Sequence, residues 1–303
     1  WVLDKTKTAM GARLLRSYVE QPLTDKAEIE KRQDAIADIN RHMITREELR
    51  EYLNPIYDLE RLITRVTYMS ANPRDLIAFK NSIGMLPPIK TLLEDFDTEL
   101  LKEIQTDMDS LEELYQLIDA SIMEEPPISV REGGLIKDGY NENVDKYRHA
   151  KTEGKTWLAE LEAKEREKTG IKNLKIKFNK VFGYYLEVTN SYRDLVPDYF
   201  TRKQTLANAE RYITPELKEL EDMILGAEDK LINLEYDLFC EVRNRIAAEV
   251  VRIQKTAKAV AKLDTFVSLA VVADQNNYCR PKINENGVID IKDGRHPVVE
   301  KML

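Results

Sequence analysis

The chain has 303 residues, 43% of them hydrophobic and 33% charged, with a formal net charge of −8. That length suits one large domain or two ordinary ones. The acidic balance argues against nucleic-acid binding over the whole surface, though not at a local basic patch, and no apolar run is long enough for a membrane-spanning helix.

The two cysteines, Cys240 and Cys279, stand outside any CxxC or Cys/His spacing, which points to a reducing compartment and to a buried thiol at Cys240. The opening Trp1-Val2-Leu3-Asp4 and the closing Lys301-Met302-Leu303 are expected to be cuts from a longer protein.

Residues 5–125 are helical in pattern. Met10, Leu14, Leu15 and Tyr18 form one apolar stripe, Ile29, Ile36 and Ile39 another beyond Pro22, and Leu59, Leu62, Ile63 and Val66 a third. Thr24-Asp25 with Glu28 offers a helix cap, and Asn72-Pro73-Arg74-Asp75 ends one helix and begins the next. Pro87-Pro88 and Pro126-Pro127 are expected to close two further segments. Several packed helices of ordinary length follow from this. After a loop at Gly133-Gly134 and Gly139, residues 141–168 predict one charged helix.

The texture then changes to period two. Leu174-Lys175-Ile176-Lys177-Phe178 and Phe182 to Val188 predict a hairpin turning on Asn179-Lys180, and Arg211-Tyr212-Ile213 predicts a third strand. Pro215 opens the longest helical stretch. From 216 to about 273, an unbroken helix would run about 85 Å at 1.5 Å per residue. Its stripe (Leu220, Ile224, Leu231, Leu234, Leu238, Val242, Ile246) needs a partner, and the 141–168 helix is the obvious one. If the two pair antiparallel, the β-module between them sits at their far tip. Ile283, Val288, Ile289 and Ile291 predict strands around an Asn286-Gly287 turn, as the start of another domain.

Charge is unevenly distributed. Residues 171–214 hold eight basic side chains (Lys172, Lys175, Lys177, Lys180, Arg193, Arg202, Lys203, Arg211) and four acids (Glu187, Asp194, Asp198, Glu210), a net of +4 that leaves −12 for the remainder. Alternation sets Lys175 and Lys177 opposite Leu174, Ile176 and Phe178. Such a patch suits the phosphate backbone, with contacts that are salt-sensitive and indifferent to base sequence. The same lysines would also serve to blunt an exposed sheet edge. Tyr184 and Tyr185 read as members of a small hairpin core, with base stacking as the alternative.

Catalytic patterns are lacking. Gly154-Lys155-Thr156 has the end of a phosphate loop, but His149 stands where the first glycine is needed, and the triplet falls inside a predicted helix. His42, His149 and His296 are far apart and lack metal-ligand spacing. The acid pairs Glu112-Glu113 and Glu124-Glu125 read as solvated helix surface.

The block Phe182-Gly183-Tyr184-Tyr185-Leu186-Glu187-Val188-Thr189 resembles the MutS family of DNA mismatch repair proteins. So do Arg202-Lys203-Gln204-Thr205-Leu206-Ala207-Asn208-Ala209-Glu210-Arg211-Tyr212-Ile213-Thr214-Pro215-Glu216-Leu217, then Gly294-Arg295-His296-Pro297-Val298, and the opening Met10-Gly11-Ala12-Arg13-Leu14-Leu15 with Gln21-Pro22-Leu23. The resemblance implies a mainly α fragment: a helical core with two long antiparallel lever helices and a small antiparallel β-sheet clamp inserted at their tip. It implies core and lever over 1–154, clamp over 155–214, the second part of the lever over 215–278, and the truncated start of an ATPase domain over 279–303.

Several functional expectations come with that resemblance. The clamp would hold double-stranded DNA by its backbone, through Lys172, Lys175, Lys177, Asn179, Lys180, Asn190, Arg202, Lys203, Thr205 and Asn208. One departure is Ala207, where the resemblance allows a basic residue. Mismatch reading through a Phe-x-Glu motif, and ATP hydrolysis with Mg at a phosphate loop, would belong to domains of a DNA-dependent ATPase parent. Neither motif is in this chain, so the fragment itself is expected to be no enzyme and to hold no cofactor or metal. The parent would be a bacterial, cytoplasmic, nucleoid-associated homodimer partnering a MutL-type protein, with no membrane contact. The competing reading is a coiled helical arm for structure or protein interaction, without DNA binding; a third is an enzyme of unrecognised chemistry.

Overall fold

The computed structural model describes residues 1–302. Its helices are α1 (Ala9–Glu20), α2 (Lys26–Arg41), α3 (Met43–Leu53), α4 (Leu59–Thr67), α5 (Pro73–Ile83), α6 (Leu86–Leu92), α7 (Glu99–Asp107), α8 (Glu112–Ser121), α9 (Glu142–Thr169), α10 (Pro215–Ala248) and α11 (Val250–Gln275). Four strands, β1 (Lys175–Asn179), β2 (Gly183–Thr189), β3 (Thr201–Thr205) and β4 (Ala209–Ile213), form one antiparallel sheet. The expected mainly α chain with a small antiparallel sheet is the observed one. The chain divides into two compact units: Trp1–Ile128 together with the chain from Cys240 onward, and Ser129–Phe239.

In the first unit, a helical body, the caps fall where short polar side chains precede apolar stripes. The Thr8 hydroxyl accepts from the Gly11 amide, and the Asp25 carboxylate from that of Glu28. Asn72 and Asp75 exchange bonds as a capping box, with Pro73 in the first turn. Pro87 and Pro88, expected to close a segment, instead lie in the first turn of α6. Proline lacks only an amide hydrogen that a first turn leaves unused.

Helix α11 is the centre of the body. Ile253, Val260, Leu263, Phe266, Val267 and Val271 are all buried, and α1, α2, α3, α4 and α7 pack on it. From position 259 to 272 this helix is buried on nearly every side and is mostly apolar to match, and the polar groups it does bury are all used. Asp264 accepts from the Lys7 amide at 2.9 Å, the Thr8 amide at 2.7 Å and the Thr8 hydroxyl at 2.7 Å. Ser268 accepts from the Lys5 amide at 2.8 Å and donates to the Leu3 carbonyl at 3.0 Å. The segment before α1 is thereby laced to α11.

The expected unbroken helix over 216–273 is two helices. Glu249 leaves helical geometry at φ −96° and ψ 16°, and α11 starts at Val250. Neither glycine nor proline marks the break. It falls just before the β-branched pair Val250-Val251, which weakens helix propensity. The strands expected around Asn286-Gly287 are also absent among the described residues. The turn forms, with Gly287 at φ +73° and the Asn286 side chain accepting from the Val288 amide. Val288, Ile289 and Ile291 are exposed beside it, and a hairpin with no apolar surface to cover is not stable alone.

In the second unit α9 runs from an Asn141 cap to Gly170 in the left-handed region. It pairs antiparallel with α10: Arg148 meets Glu235 at 2.5 Å, Lys151 meets Glu228 at 2.6 Å and Lys164 meets Glu216 at 2.8 Å. Gly154 lets the two helices come close, since an added Cβ would stand 2.5 Å from Ile224 Cγ1. The glycine of the Gly154-Lys155-Thr156 triplet thus serves helix packing.

Candidate nucleic-acid interface

The sheet has the order β1-β2-β4-β3. Its core face rests on Leu158, Leu161, Leu217 and Ile224 of the helix pair through Leu186, Val188, Phe200 and Tyr212. Tyr184 and Tyr185 are partly and fully buried and belong to the module's own packing, Tyr184 against Phe178 with ring centres 4.9 Å apart. Helix side chains also bond directly to sheet backbone. The Glu162 carboxylate accepts from the Ile176 amide at 2.7 Å, Glu221 from the Tyr184 amide at 2.5 Å, and Arg166 donates to the Leu174 carbonyl at 2.7 Å. Glu165 accepts from the Tyr199 hydroxyl, which burial and then that carboxylate push up to about 12.

The β1–β2 connection differs from the expected two-residue turn on Asn179-Lys180. Asn179 is itself paired with Gly183, so Lys180, Val181 and Phe182 form the loop, and the positive φ of +75° falls on Gly183. A Cβ there would collide with the Glu221 carboxylate. Gly183 is needed twice, for its backbone and for the close approach of Glu221.

Strand β3 was not anticipated, because Thr201-Arg202-Lys203-Gln204-Thr205 carries no apolar alternation. It is an edge strand, with a bulge between Arg202 and Gln204. The expected third strand at 211–213 is the last part of β4.

Register separates the basic residues by face. Lys175, Glu187, Arg211 and Gln204 lie in one cross-strand row, with Lys177 beside Tyr185, all on the outward face. Lys177 is bonded to Glu187 at 2.7 Å, which raises the lysine's pKa. Arg211 stacks 4.4 Å from the Tyr185 ring centre and donates to Gln204 at 2.8 Å. Arg202 sits opposite Tyr212, on the other face, and reaches Glu210 at 3.4 Å. The structure therefore does not gather Lys175, Lys177 and Arg202 on one surface.

Of the other candidate residues, Lys172, Lys175, Lys180 and Lys203 are exposed and make no ion pair among the described residues. Asn179 caps its own loop by accepting from the Val181 amide at 2.8 Å. Asn190 is bound to the β3–β4 turn: its side chain donates to the Ala207 carbonyl at 3.0 Å and its amide to the Asn208 carbonyl at 3.1 Å. Thr205 and Asn208 are exposed at that same end of the sheet, and Lys180 at the opposite end.

Sequence reasoning counted Arg193 and Glu210 in the module's charge but placed neither among the expected DNA contacts. Arg193, in a short 3-10 turn (Asn190–Leu195), meets the Glu210 carboxylate at 3.5 Å beside Arg202. The available signal was an acid, Glu210, on the inward face that it shares with Tyr212.

A family described as MutS domain III matches residues 1–270. This chain belongs to the MutS family. It is 67% identical, over all 303 of its residues, to the DNA mismatch repair protein MutS of Lachnoclostridium phytofermentans, covering 32% of that protein. The corresponding proteins of Ruminiclostridium cellulolyticum and Acetivibrio thermocellus are 55% and 53% identical over the whole chain, which covers 35% of each. The chain thus spans about a third of the length of the curated relatives it matches. In this MutS-family chain no described helix is long and apolar enough to cross a membrane. His149 pairs with Glu153, and His42 packs edge-on to Phe96; among the described residues no group of three or more His, Cys, Asp or Glu could hold a metal ion.

Proposed function

We propose that this chain serves DNA mismatch repair by gripping the duplex backbone with its sheet module and by carrying movement along the α9–α10 pair. The carrying observation is the charge asymmetry: a net +4 over residues 171–214 in a chain of net −8, with Lys172, Lys175, Lys180 and Lys203 exposed and without acid partners among the described residues. Cations left free on an acidic protein are suited to phosphate, without preference for base sequence. Membership of the MutS family supports the same reading. Mismatch reading, ATP and Mg binding, ATP turnover, homodimer formation and contact with a MutL-type protein fall, on this proposal, to parts of a longer protein. This chain supplies backbone contact and coupling and no catalytic group.

A salt-titrated duplex-binding assay tests it, on this chain and on a full-length MutS-family protein that carries it. Changing Lys175, Lys177, Arg202 and Lys203 together to Glu is expected to abolish the chain's share of binding and to flatten the dependence of log K on log salt by about 0.9 per lost phosphate contact. Unchanged binding and slope would favour the helical-arm reading instead.

A further inference from the structure

The basic side chains of the module differ in what holds them. Lys172, Lys175, Lys180 and Lys203 make no ion pair among the described residues, and Lys177 and Arg211 are drawn onto Glu187 across the outward face. Arg193 and Arg202 are arranged otherwise. Arg193 offers Nε and Arg202 offers Nη1 to the same oxygen, Glu210 Oε1, at 3.5 Å and 3.4 Å. The other carboxylate oxygen accepts from the Tyr212 hydroxyl. Glu210 is therefore fixed at both oxygens, and its side chain is only 4% exposed while the arginines remain 61% and 54% exposed. The hydrogen bond from Tyr212, then the two arginines, hold the Glu210 carboxyl below its ordinary range, so it stays charged.

The two arginines come from different elements, the 3-10 turn and the edge strand β3. They are brought within about 7 Å of one another, nitrogen to nitrogen, by one buried carboxylate. Arg202 hydrogen-bonds Glu210 through Nη1 and Arg193 lies at ion-pair distance through Nε, while both side chains stay more than half exposed. A guanidinium whose direction is set by a buried neighbour loses less freedom on binding than a loose lysine, and its fork matches phosphate oxygens two at a time.

We propose that Arg193 and Arg202 form a paired-guanidinium site for a backbone phosphodiester of duplex DNA, with Glu210 as its positioning residue. The inference rests on the phosphate-binding reading above and deepens it. The four free lysines give general attraction, and this pair fixes where one phosphate sits.

The test is a salt series of duplex binding with Arg193→Ala, Arg202→Ala, the double variant and Glu210→Gln, with the chain and with a full-length protein that carries it. Loss of both arginines is expected to lower affinity and to reduce the log K–log salt slope by about 0.9, since they share one phosphate. Glu210→Gln separates positioning from plain electrostatics. It removes a negative charge beside the DNA, so simple attraction would tighten binding. A positioning role instead weakens binding several-fold while both arginines remain, and Glu210→Asp restores part of the loss.

Binding that is equal or tighter in Glu210→Gln overturns the positioning role. An unchanged slope in the double variant overturns the site. Should Glu210→Gln disturb the sheet, the double arginine variant decides, because both side chains are largely exposed. If the fourfold charge reversal weakens binding while the double variant does not, the site fails and the general reading stands. If neither changes binding, the general reading fails as well.

Discussion

The helical body and the sheet module both bury a carboxylate, and they surround it differently. In the body, Asp264 of α11 faces neutral donors, the amides of Lys7 and Thr8 and the Thr8 hydroxyl. In the module, Glu210 of β4 faces two arginines and a tyrosine. Around Asp264 lies a large apolar core, while the module's apolar cluster is small and is supplemented by Glu162, Glu165, Arg166 and Glu221 reaching from the helices to the sheet. A body held by apolar area tolerates polar surface changes and suffers from cavities. A module held partly by directed hydrogen bonds is sensitive to small displacements of a few backbone groups.

The largest expected effect tests the first half of that contrast. Phe266 is fully buried against the ring of Tyr18, and Phe266→Ala should cost the body about 3–5 kcal/mol. Hydrogen exchange should show the amides of α11 and α1 losing protection while those of 175–213 keep theirs. Equal loss in both regions would show one cooperative unit and remove the contrast.

A smaller effect tests the second half. Gly183→Ala should cost about 1–2 kcal/mol from left-handed backbone alone, and its methyl group would also displace Glu221 from the Tyr184 amide. Exchange at Tyr184 and Leu186 should rise, with the body's unfolding midpoint unmoved. Retained protection at Tyr184 would mean that the sheet does not depend on that bond.

Much of the body was legible because one rule, apolar side chains at helical spacing, built it. The stripes at Met10/Leu15 and Leu59/Leu62/Ile63/Val66 are buried, and the caps at Asp25 and Asn72 are used. The same rule hid the break at Glu249, since α10 and α11 are both good helices and only their surroundings differ. In the module the charge asymmetry was readable by counting, but its arrangement was not. Register puts Lys175 and Arg202 on opposite faces, and a bulge near Lys203 shifts the edge strand, neither of which composition encodes. Glu221 and Glu235 were not singled out in the sequence. They occupy positions in the buried stripe that runs through Leu217, Ile224, Leu231 and Leu238, and an acid at such a position is the mark of a side chain held by backbone amides, of a strand for Glu221 and of a loop for Glu235.

Acid should separate the two carboxylates by sign. Burial raises the Asp264 pKa above its ordinary 3.8, the neutral donors offsetting it only in part and Asp4 adding to the rise. For a raised acid, the native state holds the proton more tightly than the unfolded one, so this contribution to stability is full below 3.8 and is lost as pH climbs through the folded value. Glu210 is lowered below 4.5 by the Tyr212 bond and then by Arg193 and Arg202. Its contribution is present above 4.5 and is lost as pH falls through the folded value. Melting curves of Asp264→Asn and Glu210→Gln against the parent, taken from pH 7 to pH 3, read the two directly. The deficit of Glu210→Gln should shrink on acidification, because the parent loses the same charge. The deficit of Asp264→Asn should grow on acidification, because the parent then sheds the cost of a buried charge that asparagine never carried. Deficits that move in the same direction would mean that the surroundings of the two carboxylates do not differ as their partners imply. The body and the module would then share one response to acid.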